Sequence, residues 1–209
     1  MTTLIVIPVR GTQPSKTRLA SLFSSEQRIR LVRALLDHML GEMPEYVDVA
    51  VITRSEEFVA DIDPRVRILP QLPEFPGLNG SLQQALLFAQ EHGYHDMLML
   101  PGDLPLLQMH EVQSLLLEEG RIVIAGDRDQ EGTNGLRIPT AWAGSFHFGM
   151  GEHSFAHHKM EAQKHGEIPV TVYHRGLAHD LDTPDDWEAL PADARKQLTE
   201  CLQPVAKGA

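Results

Sequence analysis

The chain has 209 residues and one cysteine, and its 18 Lys plus Arg stand against 29 Asp plus Glu, a formal charge of −11. That length suits a single domain spanning residues 1–209, and 42% hydrophobic residues supply a core and argue against disorder. The acidic balance excludes a polyanion-binding or acidic-membrane surface, the lone cysteine excludes a disulfide framework and suits a reducing cytoplasm, and no apolar run approaches the ~20 residues of a membrane span.

Residues 4–9 (Leu-Ile-Val-Ile-Pro-Val) are short, continuous and β-branched, which predicts a strand buried on both faces. The first residues carry no basic region or cleavage site, which argues against a signal peptide. Ser24 with Gln27 resembles a capping box, and Ile29, Val32, Leu36, Met39 and Met43 recur at helical spacing. Strands are predicted at 47–53, 66–69, 97–100 and 122–125, with helical stretches at 56–62, 82–90 and 108–119 between them. This alternation predicts right-handed βαβ units and a three-layer αβα fold around a mostly parallel sheet. From about residue 127 to 155 the pattern loosens into Gly-rich and aromatic segments, 132–138 and 143–151, which predict a small inserted lobe. A helix at 154–165, strands at 170–174 and 179–182, and a polar, partly frayed tail over 191–209 complete the expectation.

In open α/β sheets ligands bind beyond the carboxyl ends of the strands, so the loops there carry the chemistry. The first holds Arg10, Lys16 and Arg18 among hydroxyl and amide side chains, the densest basic cluster of an acidic chain. Guanidinium forks and an ammonium point charge suit a polyphosphate. It is neither a Walker loop nor a G-x-G-x-x-G turn. Next, Gly77-Leu78-Asn79-Gly80-Ser81 allows close backbone approach, and Asn79 can read a base edge; read alone it is a helix cap. Asp103, in Pro101-Gly102-Asp103-Leu104-Pro105, stands at a strand end as a magnesium ligand or a turn residue. In a strand at 179–182, Asp180 and Asp182 would share one face and call for a cation between them. Thr183-Pro184-Asp185-Asp186 reads as an N-cap, a first-turn proline and a capping box. Phosphate-binding cations, a Gly/Asn turn and three carboxylates form the inventory for nucleotidyl transfer.

Ile7-Pro8-Val9-Arg10 with Lys16-Thr17-Arg18-Leu19, Gly77-Leu78-Asn79, Gly102-Asp103-Leu104-Pro105, Gly132-Thr133-Asn134-Gly135-Leu136, Gly151-Glu152-His153-Ser154-Phe155 with His158, and Asp180-Leu181-Asp182-Thr183-Pro184 occur in order over residues 4–187. Together they resemble the 2-phospho-L-lactate or phosphoenolpyruvate guanylyltransferases of coenzyme F-420 biosynthesis. The resemblance implies a nucleotide-diphospho-sugar-transferase-like, Rossmann-like fold similar to the molybdenum-cofactor guanylyltransferases. It also implies transfer of GMP from GTP to a three-carbon phosphate acid, releasing pyrophosphate. Phosphoenolpyruvate is taken first because the chain reads as a bacterial member, with 2-phospho-L-lactate and 3-phospho-D-glycerate as alternatives. By the same resemblance Lys16 and Arg18, with Arg10, would contact the triphosphate and Asn79 the guanosine. Asp103, Asp180 and Asp182 would hold magnesium, Asp103 sharing the catalytic role with Lys16 and Arg18. Thr133, Gly151 and Ser154 would bind the acceptor, with His158 lining its pocket. Gly102 and Gly135 depart from the family, each standing where Ala is expected; the change at 135 is read as minor. A homodimer and hand-over of product to the downstream coenzyme F-420 transferase are compatible with the resemblance.

Three other functions stay open. One is nucleotidyl transfer to another acceptor such as molybdopterin, against which the 132–136 and 151–155 motifs weigh. A non-catalytic nucleotide sensor would need fewer carboxylates. A zinc protein would be built on His147, His153, His157, His158 and His165, whose spacing lacks a clear third ligand and reads instead as structural or solvent-exposed.

Overall fold

The computed structural model describes residues 2–11 and 16–203. Residues 12–15 of the basic loop and the last part of the predicted tail, 204–209, lie outside them. Seven strands form one sheet: β1 (Thr3–Val9), β2 (Asp48–Thr53), β3 (Arg67–Pro70), β4 (Asp96–Met99), β5 (Val123–Gly126), β6 (Thr133–Pro139) and β7 (Val170–Val172), in the order β3-β2-β1-β4-β6-β5-β7. The helices are α1 (Ser25–Gly41), α2 (Gly77–Glu91), α3 (Met109–Leu117), α4 (Ser154–Lys164), α5 (Arg175–Ala178), α6 (Pro184–Ala189) and α7 (Ala192–Cys201). Among the described residues no helix is long and apolar enough to cross a membrane.

The continuous apolar run of β1 is explained by the two layers it separates. Leu4 and Val6 face a core shared with Leu82, Ala85 and Leu86 of α2, whereas Ile5 and Ile7 face Val32, Leu36 and Met39 of α1. Side chains alternate across a strand, so burial on both faces leaves no polar position to mark the period. Helix α1 is buried on a second side too. Its Leu31 and Leu35 join Leu181, Trp187, Leu198 and Leu202 in a third cluster, so α7 docks on α1, and Arg30 donates to the Leu202 carbonyl at 3.0 Å. Up to Gln203, the segment expected as a frayed tail is therefore packed. The Ser24–Gln27 capping box forms as predicted.

Residues 132–138, expected in an inserted lobe, instead contribute β6, which lies between β4 and β5 and runs antiparallel to both. Its polar residues hide the strand pattern. Arg137 is 5% exposed, yet it donates to the carbonyls of Leu115, Leu116, Glu118 and Gly120 and so caps the end of α3. A Cβ at Gly135 would meet Ala125 Cβ and Leu115 Cδ1, both at 3.1 Å, so this departure from Ala permits a closer approach of α3 than the sequence suggests. Residues 143–151 form no strand; Trp142, Phe146 and Phe148 fold onto the α2 side of the core.

The strand expected at 179–182 is absent. The backbone leaves the sheet after β7, turns through α5 and reaches α6 by an unladdered connection. That connection is held otherwise: the Leu181 N–H donates to the Asp103 carbonyl at 3.1 Å, and the Gly176 N–H donates to buried Glu111 at 2.7 Å.

Candidate active site

Antiparallel β6 is what assembles the site. Its register pairs Thr133 with Gly126 and Leu136 with Met99, so its first residues lie beside the carboxyl ends of β5 and β4. Thr133 and Asn134 are thereby brought to the edge where Arg10 leaves β1 and Asp103 follows β4. Had β6 been parallel, its opposite end would lie there.

Lys16 is the centre of this edge. Its ammonium donates to Asp103 Oδ2 and Asp182 Oδ1, each at 2.5 Å, and its side chain is only 7% exposed. Burial alone would lower its pKa; the Asp103 and Asp182 carboxylates outweigh this and hold the ammonium above its ordinary value. Lys16 itself sits in left-handed backbone, φ 56°, at the start of the short turn Thr17–Ser21. Arg10 and Arg18 flank it and are exposed.

Asp180 completes the acidic group. Burial raises its pKa, and the neighbouring charges of Asp103 and Asp182 raise it further. Sequence reasoning missed one residue here. The amide of Asn134, 6% exposed, donates to the Leu177 carbonyl at 2.8 Å and more weakly to Asp180 Oδ1 at 3.4 Å, fixing the approach of this segment. The signal was present in Gly132-Thr133-Asn134-Gly135-Leu136, but a buried amide has no spacing to identify its partner. Asp180 and Asp182 stay close enough to interact although the predicted strand is absent: Leu181 between them is fully buried, both aspartates are half-buried, and the charge of Asp182 is felt at Asp180. Asp186 is a cap, as read: it accepts from the Thr183 N–H at 2.8 Å, and Pro184 opens the helix. It also meets Arg128 at 3.3 Å, a cation that sequence reasoning passed over.

Among the described residues no group of three His, Cys, Asp or Glu side chains is arranged to hold a metal ion as it stands. The Lys16 ammonium takes the position of a cation between Asp103 and Asp182. The donor set itself fits a hard divalent ion: three carboxylates, with Asp103 Oδ1 buried and without a hydrogen-bond partner. The histidines do not converge. His147 and His153 are exposed, His157 Nε2 lies 2.9 Å from the His147 carbonyl, and His165 stacks on Trp142.

The Gly77–Ser81 turn is not a side-chain cap. Pro76 is the N-cap residue, α2 begins at Gly77, and Asn79 in its first turn is exposed. Asn79 Oδ1 accepts from the Met150 N–H at 2.8 Å, which joins this turn to the loop before α4. That loop holds Gly151 at φ +125°, a conformation that L side chains rarely adopt, and then Ser154, 1% exposed at the start of α4. His158 is wholly buried and Thr133 is 3% exposed. His158 therefore stands behind Thr133 rather than lining a pocket beside it.

Comparison with known proteins agrees with this architecture. A putative nucleotide-diphospho-sugar transferase from Desulfovibrio desulfuricans superposes with a TM-score of 0.74 over 96% of this chain and 95% of its own, at 18% identity. A phosphoenolpyruvate guanylyltransferase from Sphaerobacter thermophilus is 34% identical over 200 residues, 93% of this chain and 95% of that protein. A 3-phospho-D-glycerate guanylyltransferase from Phenylobacterium zucineum is 33% identical, covering 87% and 86%, and a 2-phospho-L-lactate guanylyltransferase from Methanothermobacter thermautotrophicus is 31% identical, covering 89% and 82%. The family described as "Guanylyl transferase CofC like" matches residues 3–196. With the sheet order, the lysine-bridged carboxylates and this match in hand, the chain belongs to the CofC-like guanylyltransferases and is a nucleotidyltransferase.

Proposed function

We propose that this protein is a cytoplasmic enzyme that transfers GMP from GTP to phosphoenolpyruvate, giving enolpyruvoyl-2-diphospho-5'-guanosine and pyrophosphate, as a step of coenzyme F-420 biosynthesis. The observation that carries the reading is the convergence of Lys16, Asp103, Asp180 and Asp182 on the edge to which β6 delivers Thr133. The same reaction on 2-phospho-L-lactate or 3-phospho-D-glycerate is the alternative, because relatives with similar identity carry all three acids in their names.

In this reaction an oxygen of the acceptor's phosphate bonds to the α-phosphorus of GTP, and the bond from that phosphorus to the α–β bridging oxygen breaks. The nucleophile is already ionised at neutral pH, so no base is required, and positioning with charge stabilisation carries the rate. Lys16, with Arg10 and Arg18, faces the negative charge of the phosphates. Asn79, exposed in the first turn of α2, would read the guanosine edge. The Thr133 hydroxyl at the start of β6, the Ser154 hydroxyl at the start of α4 and the Gly151 backbone would receive the acid's phosphate and carboxylate. Asp103, Asp180 and Asp182 would hold magnesium, which neutralises triphosphate charge and orients the reacting oxygens when bound.

Incubation with GTP, magnesium and each acid in turn, followed by measurement of pyrophosphate, tests the reading. Release with phosphoenolpyruvate well above that with the other two supports it. Preference for another acid moves the acceptor assignment, and no release with any of the three overturns the activity.

A further inference from the structure

His158 makes two polar contacts that together define its protonation. Its ring is wholly buried, with Phe146 stacked at 6.1 Å between centroids and Phe148 edge-on at 6.5 Å. The Gly149 backbone N–H donates to Nε2 at 3.3 Å, and Nδ1 lies 2.9 Å from Thr133 Oγ1. A backbone N–H can only donate, so Nε2 is a bare acceptor. Burial, aided by the neighbouring His157 and opposed by Glu161, holds the imidazole pKa down at about 4, so the ring is neutral at pH 7. A neutral ring with a bare Nε2 carries its one proton on Nδ1.

The consequence falls on Thr133. Nδ1–H donates to its hydroxyl oxygen, so the hydroxyl's own hydrogen has to aim elsewhere. Among the described residues, Thr133 Oγ1 has no second hydrogen bond. The hydroxyl is thereby set as a donor facing away from the ring. The same imidazole, on its opposite edge, holds the Gly149 turn through Nε2, and that turn leads to Gly151 and the N-terminus of α4.

We propose that His158 is a positioning residue for the acceptor acid: one ring nitrogen turns the Thr133 hydroxyl into an oriented donor to the acid's phosphate or carboxylate, and the other holds the Gly149 turn that leads to Gly151 and Ser154. This rests on the guanylyltransferase reading above and assigns His158 a role without contact with substrate. It also accounts for a histidine in an aromatic box where a phenylalanine would fill the same space. A purely structural histidine predicts uniform damage on substitution, whereas an orienting one predicts damage confined to one substrate.

The test uses the full chain and four variants: Thr133→Val, His158→Phe, His158→Asn and the Thr133→Val/His158→Phe pair. Asn places its amide nitrogen about where Nδ1 stood, so it keeps the donor that Phe removes. With whichever of the three acids the wild type turns over, His158→Phe is expected to raise the acid's KM by about tenfold, leaving the KM for GTP within about twofold. His158→Asn should recover most of that loss, and the pair should be no worse than Thr133→Val alone. Losses that multiply in the pair, or a KM for GTP rising in step, overturn the proposal. A second measurement needs no turnover: long-range nitrogen–proton NMR of the unliganded chain at pH 7, with the His158 signals identified by their loss in His158→Asn. Protonation at Nδ1 is expected; an Nε2–H tautomer or an imidazolium overturns the proposal even if His158→Phe fails to fold. A wild type inactive on all three acids refutes the activity and leaves the tautomer result to judge the orientation.

Discussion

Lys16 shows how one side chain can serve two electrostatic states. As it stands, its ammonium offsets two carboxylates that would otherwise repel each other beside Asp180. Removing one of its partners leaves the others in place but breaks the cluster. Asp103→Asn should lower turnover by a factor on the order of 10² or more, with circular dichroism unchanged, because the change is isosteric and removes only charge. A variant with wild-type turnover would mean that Asp103 only turns the loop. His158 contributes in a different way, through acid stability. Unfolded, it takes a proton near 6.5; folded, not until about 4. Between those values the unfolded chain binds more protons, so stability falls as pH falls. The stability present above about pH 6.5 should drop by on the order of 3 kcal/mol by about pH 4. Urea melts across this window should show a shallower slope in His158→Asn.

At the scale of elements, the segment carrying Asp180 and Asp182 has no ladder partner, so single contacts decide where it lies. Gly176 permits the closest of these: a Cβ there would come within 2.0 Å of Glu111 Oε2 and 2.4 Å of the Leu106 carbonyl. Glu111 is itself committed, accepting from both the Gly176 and Gln108 N–H groups. Gly176→Ala should therefore push α5 off α3, costing about 1–3 kcal/mol in chemical denaturation and lowering kcat as the carboxylates shift. A variant with unchanged stability would show that this contact yields easily. Much of the element pattern was legible beforehand. The four parallel strands β1 to β4 and helix α1 follow from continuous β-branched runs and a 3.6-residue period. The strand at 133–139 was not, because buried Asn134 and Arg137 interrupt its apolar pattern, and their partners lie far off in sequence.

Across the whole molecule, the net charge of −11 has to coexist with an anionic substrate. On the proposed reading, position resolves this: Lys16 stands among the carboxylates at one end of the sheet, Arg10 and Arg18 are exposed near it in sequence, and Asp103, Asp180 and Asp182 would take up a cation. Long-range repulsion is screened within about 8 Å at physiological salt, so local placement dominates over total charge. GTP with magnesium at about a hundred times its dissociation constant should stabilise the fold by about 2.7 kcal/mol. For a chain of this size that corresponds to a rise in melting temperature on the order of 5–10 °C. Thermal melts should lose most of this rise when a chelator removes the metal. A shift indifferent to the chelator would place the triphosphate on the basic residues alone.

The sequence by itself determined the class of fold and the family, because buried parallel strands and ordered motifs are written locally. Only the tertiary structure decided how the residues of the candidate site meet. The antiparallel direction of β6 brings Asn134 to Asp180 and Thr133 to His158, and Lys16 bridges Asp103 and Asp182 across 87 and 166 residues of separation. Each of these depends on a contact between segments remote in sequence. Spacing and periodicity carry no information about such pairs, since strand direction and side-chain partners are settled when the core closes.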